Sequence, residues 1–228
     1  MRVALIGGAV IALGLAAPAS ATTFIVTNGG DATFVASQTT SPGDKLVTFD
    51  GANPTDVTST LSNASVVQGS LSGQYAQPFG SDGSKYLSVF GTDGSATIAD
   101  TSGAGYNALS LYLGSIDTYN TIELLSNVGA VIASYAGSAF LGGPSGDQGL
   151  PTTNRLITFT RNGNDALFAG VRISSTQNSA EVDNVRFSSV SAPVPEPATW
   201  AMMLVGFGLV GGALRRRTKV QTRVRFAY

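Results

Sequence analysis

Leu109-Ser110-Leu111-Tyr112-Leu113 places leucine at every second position, and an apolar period of two is the mark of a β-strand with one buried face. Leu167, Ala169, Val171 and Ile173 repeat the pattern about Gly170 and Arg172. Outward from these two segments, further strands are expected at Lys45 to Phe49, Lys85 to Phe90, Ser95 to Ala99, Thr121 to Leu125, Val131 to Tyr135, Arg155 to Thr160 and Glu181 to Ser188. Between them stand Asp82-Gly83, Asp93-Gly94, Asn127-Val128-Gly129, Gly142-Gly143-Pro144 and Asn162-Gly163-Asn164-Asp165. These residues reverse a chain through positive φ or a preset proline φ. Short strands at such spacing, without helical crossovers, predict an all-β fold, an antiparallel β-sandwich or jelly roll. Within residues 22–190 no stretch shows a convincing 3.6-residue stripe, and no internal repeat is evident.

The composition agrees. Charged residues are 12% of the 228, glycine contributes 28, and hydrophobic residues reach 43%, a balance that suits many strands and turns around a core. Residues 22–190 are enough for one domain. The formal net charge of −1 conceals an asymmetry, because Arg215, Arg216, Arg217, Lys219, Arg223 and Arg225 hold six of the 13 basic residues. Between Thr22 and Pro193, six Lys and Arg face 13 Asp and Glu, so this body repels phosphates and a nucleic-acid partner is not expected. The chain has no Cys and no His. That excludes disulfides, thiolate metal sites and cysteine nucleophiles, and removes the commonest general base.

Both ends read as addresses. Arg2 precedes the apolar run Val3 to Ala17, and Ala19 and Ala21 supply the small residues that a signal peptidase reads. Residues 1–21 are therefore expected to be a signal peptide, removed after Ala21. In the linker, residues 191–197, the stretch Ala192-Pro193-Val194-Pro195-Glu196-Pro197 is stiff and extended, because each proline fixes φ and pushes its predecessor out of the helical region. Residues 198–214 then run without a charge, with Trp200 near the front and Arg215-Arg216-Arg217 behind. Seventeen residues reach the lower limit for crossing a hydrocarbon core of about 30 Å. The arginines act as a membrane stop and orient the span with the body outside and residues 215–228 in the cytoplasm.

Pro195-Glu196-Pro197, Trp200 three residues on, an apolar segment rich in Gly and Met, and an arginine cluster resemble the PEP-CTERM sorting signal, in the variant with Trp after the motif. The resemblance implies that an exosortase, a membrane cysteine protease, cuts near Pro-Glu-Pro and hands the body to the cell surface or an extracellular polymer. Here the chain continues past the arginines to Tyr228, a longer basic tail than the family usually carries. Within the body, the segment Leu109 to Leu124 and the run Val182-Asp183-Asn184-Val185-Arg186-Phe187 also look like parts of PEP-CTERM proteins whose bodies are similar to carbohydrate-binding jelly rolls.

Nothing in the spacing nominates a catalytic group, and a carboxylate pair such as Asp117 and Glu123 is expected by chance among 13. A non-enzymatic protein is therefore expected. Asp183 shares phase with Val185 and Phe187 and so points toward the core, where a lone charge is costly unless paired or ligated. If the first and last strands are neighbours, Asp50 approaches it and the pair would hold structural calcium, the one cofactor the sequence suggests; otherwise both are ordinary strand-end or turn residues. Tyr75, Tyr86, Tyr106, Tyr112, Tyr119 and Tyr135 form either core or a sugar-stacking platform. The reading is an exported surface or extracellular-matrix protein with signal peptidase, an exosortase and the inner membrane as partners. The alternative is a carbohydrate-binding module for exopolysaccharide, with its ligand residues unassigned.

Overall fold

The structure is a computed structural model that describes residues 22–143, 145–163, 165–189, 206–207 and 209–211. The chain divides into two compact units, residues 1–190 and 191–228. The first unit runs β1 (Thr23–Asn28), α1 (Asp31–Ser37), β2 (Lys45–Val47), β3 (Val57–Ser62), β4 (Ala64–Val67), β5 (Tyr86–Val89), β6 (Gly94–Asp100), β7 (Ala108–Gly114), β8 (Asn120–Leu125), β9 (Val131–Ala136), a 3-10 turn at Gly137–Ala139, β10 (Arg155–Thr160), β11 (Gly170–Ser175) and β12 (Ala180–Ser188).

These strands form the antiparallel β-sandwich that the alternation predicts. One sheet has the order β1-β10-β7-β12-β5-β4, with β2 also on β12, and the other β3-β6-β11-β8-β9. Leu109, Leu111, Leu113, Ile157, Phe159 and Val182 of the first sheet face Ile98, Ile122, Leu124, Val171 and Ile173 of the second, in one cluster of buried side chains. Each such burial stabilises by about 1.5–3 kcal/mol.

Alternation reports one buried face, but β7 is buried at all seven positions. Its outward side chains are roofed as well. Phe34 of α1 meets Tyr112 edge to face at 5.2 Å, and the Tyr112 hydroxyl donates to the Phe79 carbonyl at 2.5 Å while accepting from the Gly30 N–H at 3.0 Å. The strand expected at Arg155 to Thr160 is found with those bounds. The strand at Lys45 stops at Val47, ahead of Phe49 with φ 63°, and the one expected from Leu167 starts at Gly170, with Phe168 only bridging Tyr106.

β12 departs from simple periodicity. Its register with β7 shifts between Asp183 and Arg186, a bulge that adds one residue to one strand. On its other side β12 pairs first with β5, through Ala180 to Val182, and then with β2, through Val185 to Phe187. Asp183 and Asn184 occupy the fork between these two partners.

In the second unit, residues 206–207 and 209–211 are helical. Among the described residues no helix is long and apolar enough to cross a membrane. The expected signal peptide, linker, tail and the remainder of the 198–214 segment lie outside the described residues.

Candidate functional site

One end of the sandwich carries a polar cleft of about 140 Å³. It opens where the loops after β4, β7, β9 and β11 meet, and Glu181, the second residue of β12, belongs to its lining. Glu181 lies opposite Gly114 of β7, where a Cβ would come within 3.0 Å of both the Glu181 Cβ and the Pro78 Cγ. Glycine ends β7 so that the glutamate and the proline can close over it. The Glu181 carboxylate is 2% exposed as a residue, and every donor it needs is local. Oε1 accepts from the Ala76 N–H at 3.1 Å and from the Ser179 hydroxyl, and Oε2 accepts from the Ser115 hydroxyl at 2.6 Å. Burial pushes its carboxyl upward from the usual range; the bonds from Ser115, Ser179 and Ala76 oppose this and the charge of Asp117 adds to it.

Asp117 stands on the rim. Its Oδ1 accepts from the Ser145 hydroxyl at 2.8 Å, and its N–H donates to Asn120 Oδ1 at 2.7 Å. The loop from β9 can approach this closely because Gly146, at φ +69°, has no Cβ to strike the Asp117 carboxylate. Tyr119 donates its hydroxyl to the Asn178 carbonyl at 2.9 Å, so what it offers the cleft is ring surface. Burial, together with the neighbouring Asp117, raises the Tyr119 phenol above its ordinary pKa. Tyr75, Gln74 and Gln148 complete the wall, and the lining contains no Lys or Arg.

A single side chain ties the loops together behind the cleft. Asn154 is fully buried, accepting through Oδ1 from the N–H groups of Phe79 at 2.9 Å and Ser115 at 3.0 Å. Through Nδ2 it donates to the carbonyls of Asp147 and Leu150 at 3.2 and 3.0 Å. The cleft is thus held in shape without a ligand. The sequence carried no signal for Asn154, because an amide that joins its own loop to the backbone of two distant ones has no local pattern.

The tyrosines divide. Tyr86, Tyr106 and Tyr112 are buried, and Tyr135 stacks on Phe159 at 5.3 Å; only Tyr75 and Tyr119 line the cleft. Glu123 is not the partner of Asp117, since it pairs with Arg172 of the adjacent strand at 2.6 Å. The carboxylate that shares the cleft with Asp117 is Glu181.

The structure corrects the phase of Asp183. Because the bulge intervenes, Asp183 lies across from Tyr112 on the outward, roofed face of its sheet, while Val185 and Phe187 belong to the core. The residue is 1% exposed, and its Oδ2 has no hydrogen-bond partner among the described residues, nor has Oδ1 of neighbouring Asn184. Burial, with the charges of Asp50 and Asp82 adding to it, pushes the Asp183 carboxyl up to about 8. Asp50 is exposed and accepts from the Lys85 N–H at 2.9 Å. Asp50 and Asp183 are therefore brought within electrostatic reach, but among the described residues no group of three or more carboxylates gathers to hold a metal. Ala19, Ala21, Pro195, Glu196, Pro197, Trp200, Arg215, Arg216 and Arg217 lie outside the described residues.

Comparison with known proteins adds one family. The model of the PEP-CTERM protein-sorting motif matches residues 193–217. No curated protein matches the chain. Among solved structures, the chain is similar to a family 6 carbohydrate-binding module studied for its binding sub-sites, at 14% identity over 63% of this chain and 92% of that one, with a TM-score of 0.37. It is also similar to the K85A mutant of the family 29 module CBM29-2, at 10% identity over 66% and 99% with a TM-score of 0.39. A third is CsCBM6-3 from Clostridium stercorarium in complex with cellobiose, at 15% over 64% and 93% with a TM-score of 0.37.

Proposed function

We propose that this chain, which carries a PEP-CTERM protein-sorting motif at residues 193–217, is an exported, non-enzymatic protein of the cell surface or extracellular matrix. Signal peptidase removes residues 1–21 after Ala21, residues 198–214 hold the precursor in the inner membrane, and Arg215, Arg216 and Arg217 stop its passage. An exosortase then reads Pro195, Glu196, Pro197 and Trp200 in the linker and releases the β-sandwich. The observation that carries this reading is the extent of the matched segment. It opens in the proline-rich stretch and ends on Arg217, so motif, apolar run and basic cluster fall inside one unit.

The test is the intact mass of the protein from its native host. A mature chain beginning at Thr22 and ending near Pro195 is expected, with the C-terminal cut lost in Glu196→Ala and Trp200→Ala. A mass spanning Thr22 to Tyr228 in the unmodified protein would replace the sorted product with a simple anchored ectodomain.

A second reading concerns the body, for which the preformed cleft supports a carbohydrate-binding role. It combines tyrosine ring surface with amides and carboxylates, the groups that stack on sugar rings and bind their hydroxyls. Binding of the protein to an immobilised panel of polysaccharides tests it, and no retention by any of them would remove it.

Calcium between Asp50 and Asp183 remains part of the proposal. Two buried acceptors without donors, Asp183 Oδ2 and Asn184 Oδ1, are what a hard cation would satisfy. Added calcium is expected to raise the melting temperature of the chelator-treated protein and to do nothing for Asp183→Asn.

A further inference from the structure

The cleft over Glu181 restricts what it can take by size, by charge and by rigidity. Its volume, about 140 Å³, is on the scale of the roughly 150 Å³ cavity that holds one benzene-sized ring, so a sugar ring fits with part of it outside the mouth. It cannot enclose a run of several. The groups left for a ligand are acceptors and amides. Asp117 accepts from Ser145 through Oδ1 and interacts with the Tyr119 hydroxyl, which leaves lone pairs on its carboxylate for a ligand, and the Gln74 and Gln148 amides make no hydrogen bond with the described residues. Among the described residues Glu181 Oε2 accepts only from Ser115, which leaves it a second lone pair. With two carboxylates in the lining and no Lys or Arg, an approaching uronate, sulfate or phosphate meets like charge without a compensating cation. Asn154 fixes the loops in advance, so little ordering opposes entry of a small ligand.

We infer that the cleft takes a single non-acidic sugar ring, the end or side branch of an extracellular polysaccharide rather than an interior stretch of one. The inference rests on the carbohydrate-binding reading and gives it a site and a substrate class. The polymer hydroxyls donate to Asp117 and Glu181 and accept from Gln74 and Gln148, while Tyr75 and Tyr119 supply ring surface.

The experiment is saturation-transfer NMR on the full chain in detergent, with neutral hexoses and their methyl glycosides set against the corresponding uronic acids. Retention on neutral and acidic polysaccharides is measured in parallel. At least one neutral monosaccharide is expected to bind, with its uronate at least about tenfold weaker. Asp117→Asn and the rim variant Gln148→Ala should each lower neutral-sugar binding several-fold to tenfold, the scale of one lost hydrogen bond to a ligand, and Gln148→Arg should narrow the gap between neutral sugar and uronate. Free monosaccharide and polymer end distinguish themselves by competition: monosaccharide should displace a polymer held by its ends. Uronates binding as well as neutral sugars, or polymer held without competition by monosaccharides and unaffected by the cleft variants, would overturn the inference and leave the carbohydrate reading standing. Failure of every sugar and polymer to bind would remove both.

Discussion

Asp183 and Glu181 sit two residues apart on one strand and solve burial differently. Glu181 is ringed by donors, whereas Asp183 keeps one oxygen without any. Because the folded-state pKa of Asp183 is raised to about 8 from an ordinary 3.8, the folded protein favours its protonated form. Its contribution is fully present below the unfolded-state pKa and is lost as pH climbs through 8. In calcium-free buffer the melting temperature should therefore fall between pH 5 and pH 8. Asp183→Asn should flatten that slope and be more stable at pH 8, on the order of 2 kcal/mol. Some slope should persist, since the Glu181 carboxyl is raised in the same direction. Asn154→Ala acts the other way. It leaves the N–H groups of Phe79 and Ser115 without their acceptor, which should cost about 2–4 kcal/mol in denaturant unfolding and loosen the cleft.

At the scale of elements, what was legible followed from how each strand meets the core. β7, β10 and β11 carry regular apolar alternation that marks them as strands. β3 was not, since its outer five residues are all exposed and an edge strand of Ser and Thr shows no buried period. α1 has seven residues and buries only Phe34 and Ser37, too short for a 3.6-residue stripe to emerge. The bulge in β12 is equally silent in sequence, and it cost the phase of Asp183. It also makes a test. Removing Asn184 would bring the ladder with β7 into a single register while Val182, Val185 and Phe187 keep their inward faces. The deletion should retain a cooperative melt, whereas an alanine inserted after Asn184 should abolish it, as followed by circular dichroism.

Across the whole body, pairing is between distant parts of the chain. β1 lies on β10, and β2 on β12, so neither early strand has its partner until the sequence is nearly complete. A chain ending after β11 is expected to stay protease-sensitive, because β2, β5 and β7 all lose a neighbour, while one ending at residue 189 should resist digestion as the full body does. The candidate site belongs to this scale too. Its walls come from four loops far apart in sequence, which is why the tyrosines could not be divided between core and cleft from the sequence, and why Glu181 surfaced only in three dimensions.

The place of β12 has a mechanical consequence. It is flanked by β7 on one side and by β5 and β2 on the other, and the chain leaves the sandwich directly from its end. Tension applied through that exit loads the middle of a sheet along the strand direction. Two ladders of hydrogen bonds have to shear together before the strand can slide, whereas an edge strand would peel away one bond at a time. A tether placed there pulls on a strand bonded along both of its edges.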